Sequence, residues 1–352
     1  MSRLDDRGLL ALDASGMLDH AAALGVELLK GWEAAEGLGL PPATASIGSV
    51  VIAGMGGSAT SGDYFASLCE QSAELPVAVT RGYALPNFVT GGTLVVVSSY
   101  SGNTEESLSC YDDAWKRGAT ILAITRGGQL AERANGDGVP VFTLTYQAAP
   151  RAALPHSLAP LLRLGAMLGL VTLGRDDIAA AATLHDSLVT HDLGTEVPEA
   201  RNPAKQLAQA LAGRVPFILG AEHLAPVATR FKNQVAENGK MLAAADHLPE
   251  ADHNLIVGLA TATAAGASVS LVTLESALYD ERTARRFAIT RQLFEEAGVP
   301  VHRINVAGQR TLDQMVAGTA WGDFASCYLA LLNGFDPSPV PQIDRLKAAL
   351  TG

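Results

Sequence analysis

The sequence contains little cysteine and few charged residues. Its three cysteines, Cys69, Cys110 and Cys327, are far apart and lack metal-ligand spacing, which argues against a disulfide framework or a structural zinc site. Charged residues make up 17% of the chain and hydrophobic residues 48%, a balance that excludes intrinsic disorder. No apolar run reaches the roughly 18 residues of a membrane span, and residues 1–6 lack a signal-peptide pattern. We therefore expect a soluble, cytoplasmic protein.

Basic residues are also in the minority. The 352-residue chain has 25 Lys and Arg against 36 Asp and Glu, which gives a net charge of −11. A surface this negative repels nucleic acid and anionic membranes, so we expect neither as a partner. An anionic ligand would have to be held by a local pocket. The length is ample for a buried core and suggests two domains.

Short apolar runs alternate with helical stretches in two series. The first series predicts strands at Ser49–Ala53, Val77–Thr80, Leu94–Ser98, Thr120–Thr125 and Val139–Leu144. The second predicts strands at Val215–Leu219, Leu255–Gly258, Val269–Leu274 and Val301–Val306. Buried strands flanked by helices are typical of parallel sheets covered on both faces. We therefore predict the α/β class, with two doubly wound parallel-sheet domains joined by helices.

This pattern predicts four segments. Residues 1–48 form a helical segment that packs on the first domain, residues 49–153. Residues 154–212 form a helical connection, and residues 213–352 form the second domain. Helical spacing of apolar residues predicts helices that include Ser58–Cys69, Glu105–Arg117, Ala225–Lys240, Arg285–Ala297, Leu312–Leu332 and Ile343–Leu350.

Two loops rich in glycine, serine and threonine follow strands of the first domain. Gly54 to Asp63 follows the first strand, and Ser99 to Thr104 follows Leu94–Ser98. Both loops open into helices at the carboxyl ends of strands, where open α/β sheets bind ligands. Glycines let the backbone approach a ligand, and helix N-termini offer N–H groups that have no partner in the helix. The hydroxyls predicted to surround one phosphate are those of Ser58, Ser99, Ser101 and Thr104.

Two other interpretations of these loops stay open. Gly54, Gly56 and Ala59 also fit the G-x-G-x-x-A dinucleotide fingerprint, with Glu70 and Glu74 near the expected distance for a ribose-binding acid. Alternatively, the glycine- and serine-rich turns simply join strands to helices. The serine-rich second loop favours phosphate, because a dehydrogenase would not need it.

At these loops the sequence resembles the SIS (sugar isomerase) domain proteins. Further stretches make it similar to the bifunctional phosphoglucose/phosphomannose isomerase family, namely Pro150–Pro155, Asn233–Lys240, Leu248–Asn254, Trp321–Asp323 and Asp336–Lys347. The similarity runs from about residue 49 to the C-terminus. It implies two SIS-type domains, with the phosphate bound in the first and the catalytic base and histidine carried by the second.

The resemblance also implies an activity and the residues that perform it. The family interconverts glucose 6-phosphate or mannose 6-phosphate with fructose 6-phosphate, without a metal or other cofactor. Ser58, Ser99, Ser101 and Thr104 would hold the phosphate, while Gly56 and Gly57 would let the backbone approach the sugar. The catalytic roles would fall to Glu237 as the base, His253 in ring opening, Arg151 beside the reacting carbons and Lys347 near the ring oxygen.

These residue types suit the chemistry. Aldose–ketose isomerisation moves a proton between C1 and C2 through a cis-enediolate, and one carboxylate such as Glu237 can make both transfers. A histidine that titrates near neutrality can open the sugar ring, a role for His253 with His247 as its rival. Arg151 could stabilise the negative charge that develops on the enediolate.

Four further hypotheses concern the partner and the alternative functions. Related SIS isomerases place the site between subunits, so the resemblance implies a homodimer with shared active sites. A phosphosugar sensor would keep the phosphate loops and lose Glu237 or His253, and both residues are present. An isomerase for another phosphosugar and a dehydrogenase that uses the Gly54 loop are the remaining alternatives.

Overall fold

The structure is a computed structural model that describes residues 3–41, 46–261 and 268–350. Its strands are β1 Ser49–Gly54, β2 Val77–Thr80, β3 Thr93–Ser99, β4 Thr120–Thr125, β5 Val141–Thr143, β6 Val215–Ala221, β7 Ala244–Leu248, β8 Val269–Glu275 and β9 Val301–Asn305. Its α-helices are α1 Arg7–Leu10, α2 Met17–Ala34, α3 Gly56–Cys69, α4 Glu105–Lys116, α5 Gly128–Gly136, α6 Leu154–Met167, α7 Arg175–Leu188, α8 Pro203–Leu211, α9 Ala225–Glu237, α10 Glu281–Glu296, α11 Thr311–Leu332 and α12 Pro341–Leu350.

The chain forms two compact units. The first unit is Ala23–Leu184, and the second unit combines Met1–Ala22 with His185–Gly352. These units divide the chain by packing, whereas the sequence-based boundaries follow the two series of strands. The four predicted segments stay a prediction.

The first unit contains a five-stranded parallel sheet with the order β2-β1-β3-β4-β5. Every residue of β1 and β3 is buried, as expected for central strands covered on both faces. β2 lies on one side of β1, and the chain then crosses over to β3 on the other side. The strand order therefore reverses between β1 and β3, and an open α/β sheet binds its ligand at such a switch point.

The second unit contains a four-stranded parallel sheet with the order β7-β6-β8-β9. Here the strand order reverses between β6 and β8. Two parallel sheets with intervening helices confirm the predicted α/β class.

One predicted strand is wrong. Leu255–Gly258 belongs to a 3₁₀-helix, Leu255–Thr261, and the strand that pairs with β6 on the side away from β8 is β7. Val257 is 72% exposed, so this apolar run does not occupy a place in the sheet. The turn that carries His253 is followed by this 3₁₀-helix instead of a strand.

The helix α11 is long and apolar enough to cross a membrane by length and composition, and it is the one such helix among the described residues. Of its apolar window, 94% is buried inside the protein. Buried polar side chains on it, described below, bind those of α9. The helix therefore packs as a core helix of the second unit.

His185, near the end of α7, makes stability depend on pH. Its ring is 1% exposed, and Nε2 has no hydrogen-bond partner among the described residues. Burial lowers the pKa of His185 to about 4, from an ordinary value of 6.5. The unfolded chain therefore takes up this proton before the folded protein does, so stability is lost as the pH falls from 6.5 toward 4. We expect this residue to remove about 2 kcal/mol of unfolding free energy between pH 7 and pH 5.

Urea unfolding at both pH values measures this effect. The variant His185→Gln cannot titrate and should show a smaller pH dependence, whereas His191→Gln, at an exposed position, should match the wild type. Burial also lowers the pKa values of His156, His223 and His302, and both variants keep those residues. Equal pH dependence in the two variants would contradict the role of His185.

Candidate active site

The first glycine-rich loop connects β1 to α3. The N-cap of α3 is Met55, whose side chain accepts no hydrogen bond from the helix. Gly56 and Gly57 are the first residues of α3, and Ser58 follows them as a buried residue of its first turn. This arrangement leaves the positive end of the helix dipole, with backbone N–H groups, available to an anion.

The structure brings Arg151 to this loop. A Cβ atom placed on Gly57 would lie 2.9 Å from the carbonyl oxygen of Pro150 and 3.6 Å from Cα of Arg151. Glycine at this position is what allows the two segments to pack so closely. Arg151 is only 4% exposed, so its guanidinium is largely shielded from water.

The second loop connects β3 to α4 and carries the predicted hydroxyls. Ser99 is buried, and its Oγ donates a hydrogen bond to Oγ1 of Thr104, the N-cap of α4, over 3.0 Å. Ser101 is exposed, and its Oγ accepts a hydrogen bond from the backbone N–H of Asn103 over 3.2 Å. The loop is therefore folded around its own hydroxyls, and Thr104 uses no side-chain hydrogen bond to cap α4.

The two loops lie side by side at the switch point of the first sheet. Gly54, the end of β1, is paired with Ser98 of β3. All the phosphate-site candidates and Arg151 therefore belong to one edge of one unit. The sequence predicted this grouping for the hydroxyls, whereas only the resemblance suggested Arg151.

The start of α5 packs against the second loop and forms hydrogen bonds with it. The carbonyl oxygen of Gly102 accepts a hydrogen bond from the N–H of Leu130 over 2.9 Å, and Oδ1 of Asn103 accepts one from the N–H of Gln129 over 3.1 Å. A Cβ atom on Gly102 would lie 1.8 Å from the carbonyl oxygen of Gly127. The loop conformation is thus fixed by backbone packing against the start of α5.

Glu237 is the last residue of α9 and is half-buried. The orientation of α9 is fixed by buried contacts with α11. Arg230 donates to both carboxylate oxygens of Asp323 over 2.9 and 3.0 Å, and Nε2 of Gln234 donates to the same carboxylate over 2.7 Å. One turn further on, Nδ2 of Asn238 donates to Oγ of Ser326 over 3.0 Å. These contacts determine the direction in which the helix end and Glu237 project.

Lys240 lies just after α9, and the sequence analysis gave it no role. Its Nζ donates hydrogen bonds to the carbonyl oxygens of Glu237, Pro337 and Pro339, the last over 2.6 Å. Its backbone has a φ of 55°, in the left-handed region. Lys240 therefore ties the end of α9 to the segment that leads into α12.

The remaining catalytic candidates of the second unit are exposed. His253 ends the 3₁₀-helix Glu250–His253, and its neighbour Asp252 accepts hydrogen bonds from Arg286 and Thr290 of α10 over 2.9 and 2.7 Å. Lys347 lies on α12, all of whose residues are exposed. The rival His247 lies on β7 and is also exposed.

The switch point of the second sheet has a different chemistry. Glu222 follows β6, and Glu275 ends β8, where its carboxylate is paired with Arg291 and Arg303 over 2.8 and 2.9 Å. The hydroxyl of Tyr279 accepts a hydrogen bond from the N–H of Ala221, the last residue of β6. Carboxylates and an N–H group that already has a partner do not favour phosphate binding, so this switch point suits a phosphate less well than that of the first sheet does.

No group of three or more His, Cys, Asp and Glu residues suited to a metal ion occurs in the described ranges.

Comparisons with known proteins decide the family. Residues 200–350 match the model of the bacterial phospho-glucose isomerase C-terminal SIS domain, and residues 45–137 match that of the SIS domain. The bifunctional phosphoglucose/phosphomannose isomerase of Caldicellulosiruptor bescii is 38% identical over 335 residues, which cover 95% of this chain and 98% of that protein. This chain belongs to the bifunctional phosphoglucose/phosphomannose isomerase family. The predicted family, with its SIS-type fold, is thereby confirmed.

Other comparisons agree with this membership. The bifunctional phosphoglucose/phosphomannose isomerase of Aquifex aeolicus is 32% identical over 306 residues, which cover 86% of this chain and 90% of that protein. The C-terminal domain of glucosamine-fructose-6-phosphate aminotransferase from Francisella tularensis has a TM-score of 0.73 at 15% identity and covers 92% of this chain and 98% of that one. The structural likeness shows a shared fold.

Proposed function

We propose that the protein interconverts glucose 6-phosphate and mannose 6-phosphate with fructose 6-phosphate through a cis-enediolate, without a metal ion. The observation that carries this proposal is the grouping of the two phosphate loops and the buried Arg151 at one switch point of a family member. A small phosphorylated sugar has both groups that such an edge recognises, a phosphate and an adjacent chain of hydroxyls.

The phosphate would be bound by neutral donors. Ser58, Ser99, Ser101 and Thr104 would supply hydroxyls, and the N-termini of α3 and α4 would supply N–H groups and positive dipole ends. Gly56 and Gly57 would let the backbone reach the sugar. This mode of binding suits a chain of net charge −11, because it needs few cations.

Arg151 would stabilise the enediolate. A guanidinium that is largely removed from water interacts more strongly with a developing negative charge than an exposed one does. Its proximity to Gly57 supports a place next to the bound sugar.

The proton transfers would belong to residues of the second unit. Glu237 would move the proton between C1 and C2, His253 would open the ring, and Lys347 would assist near the ring oxygen. The half-buried position of Glu237 at a helix end held by three buried contacts supports its role as the base.

We also propose a cytoplasmic homodimer with shared active sites. The helix α12 supports a partner surface, because its apolar residues Ile343, Leu346 and Leu350 lie on one face and are 38%, 59% and 70% exposed. The same helix carries Lys347.

Turnover in D₂O tests the reaction and its chemistry together. Protein treated with EDTA is incubated with fructose 6-phosphate, and the products are followed by proton NMR. We expect both aldose phosphates to form with solvent deuterium at C2, because an enediolate returns a proton that has exchanged with the base. Products that still lack deuterium after many reversible turnovers would favour hydride transfer over the enediolate, and loss of turnover after EDTA would contradict the metal-free reaction. Binding without any turnover would favour a sensor, and a monomer by light scattering would contradict the shared site.

A further inference from the structure

The side chain of Tyr100 connects the second phosphate loop to the segment that precedes Arg151. Tyr100 lies between Ser99 and Ser101 and is 9% exposed. Its hydroxyl accepts a hydrogen bond from the N–H of Ala148 over 3.0 Å. The same oxygen lies 2.9 Å from the carbonyl oxygen of Tyr146 and 3.0 Å from that of Ala148. A phenol has one proton, so it donates to one of these carbonyls at a time.

Arg126 fixes the tyrosine from its other side. Its guanidinium lies 5.2 Å from the centre of the Tyr100 ring, and its Nη1 donates to the hydroxyl over 3.4 Å. The backbone N–H of Arg126 also donates to the carbonyl oxygen of Tyr100 over 3.2 Å. These contacts hold the ring in one position and thereby orient its hydroxyl toward residues 146–148.

Residues 146–150 are attached at both ends to the phosphate loops. The Tyr100 hydroxyl holds the start of the segment, and the close approach of Pro150 to Gly57 holds its end. The segment contains neither helix nor strand that would fix it otherwise. Arg151 follows directly, so these two attachments help to fix its backbone position, together with the stacking of the Tyr146 ring on His156, whose centroids lie 4.3 Å apart.

We propose that Tyr100 is a positioning residue that holds Arg151 in place for the isomerisation through the hydrogen bonds of its hydroxyl with residues 146–148. This inference rests on the proposed role of Arg151. The tyrosine does not touch the sugar in this account. It sets where the guanidinium lies relative to the phosphate that the neighbouring serines bind.

The variant Tyr100→Phe tests the proposal, because it keeps the ring under Arg126 and removes only the hydroxyl. We expect kcat for fructose 6-phosphate to fall by about 10- to 100-fold, since small displacements of a catalytic group are costly. KM should change less than about threefold, because the phosphate hydroxyls stay in place. The matched control is Tyr111→Phe, which removes a phenol hydroxyl bonded to Asp137 in the same unit and should leave kcat within about twofold. An unchanged kcat in Tyr100→Phe, or an equal loss in the control, would overturn the proposal.

A double-mutant cycle with Arg151→Gln separates this inference from the proposed function. If Tyr100 acts through Arg151, then Tyr100→Phe should cost less than about twofold in the Arg151→Gln background. Fully additive losses would mean that Tyr100 acts by another route and would overturn the inference. If Arg151→Gln alone keeps full activity, the proposed role of Arg151 fails and this inference fails with it. A loss in Arg151→Gln with no loss in Tyr100→Phe would refute only the positioning role.

Discussion

Replacement of Glu237 by Gln is expected to lower kcat for aldose–ketose isomerisation by about 10²- to 10⁴-fold, the usual contribution of a general base. The amide has nearly the shape of the carboxylate but cannot accept the proton from C1 or C2. Binding of the phosphosugar should persist, because the proposed phosphate donors belong to other loops. Steady-state kinetics measures the loss, and the rise in melting temperature with added fructose 6-phosphate reports the retained binding.

A second glutamate of the same unit provides the matched control. Glu296 is the last residue of α10, as Glu237 is of α9, and it is exposed, with Oε1 accepting a hydrogen bond from Gln292. Glu296→Gln makes the same change at the same helix position and should leave kcat unchanged. If Glu237→Gln kept wild-type turnover, the base would have to be another residue and the proposed mechanism would be wrong.

The strands of the first sheet could be predicted from the sequence because burial dominates their pattern. β1 and β3 are buried throughout and therefore appear as continuous apolar runs. β2 and β4 have the predicted bounds, Val77–Thr80 and Thr120–Thr125. Glycine-rich turns directly after β1 made its end visible as well.

The elements that the sequence analysis missed have weak sequence patterns. β7 has the sequence Ala-Ala-Asp-His-Leu, and four of its five residues are only partly buried or exposed, so it lacks an apolar run. The more apolar Leu255–Gly258 was predicted as a strand instead, although tertiary packing leaves it outside the sheet. The helix α5 is only nine residues long and begins and ends on glycine, so its helix-forming residues Gln129–Ala134 make too short a pattern to be recognised.

In the candidate site, too, some features could be predicted from the sequence and others could not. The positions of the two glycine- and serine-rich loops were predictable because each lies within one short segment after a buried strand. Lys240 and Tyr100 were not, because their partners are distant in sequence and no spacing relates them. Lys240 binds carbonyl groups 97 and 99 residues away, and Tyr100 binds groups 46 and 48 residues away. Such contacts depend on the tertiary fold of each unit, which brings segments distant in sequence together.

Replacement of Gly102 by Ala is expected to remove about 2–5 kcal/mol of unfolding free energy and to abolish phosphosugar binding. The backbone φ of Gly102 is 71°, in the region where a side chain costs about 1–2 kcal/mol. The added Cβ would also lie 1.8 Å from the carbonyl oxygen of Gly127, so one backbone segment must move. Overpacking of this kind costs about 1–3 kcal/mol, and movement of the loop would displace Ser99, Ser101 and Thr104.

Gly138 separates the two causes. It has the same φ of 71°, and a Cβ atom there would meet nothing within 4 Å. Gly138→Ala should therefore lose only the conformational contribution, about 1–2 kcal/mol, and keep phosphosugar binding. Urea unfolding measures both losses, and the melting-temperature rise with fructose 6-phosphate measures binding. Equal stability losses with binding retained in both variants would mean that Gly127 moves aside without effect. The second loop would then not depend on its backbone contact with α5. The inference that this packing fixes the loop conformation would be wrong.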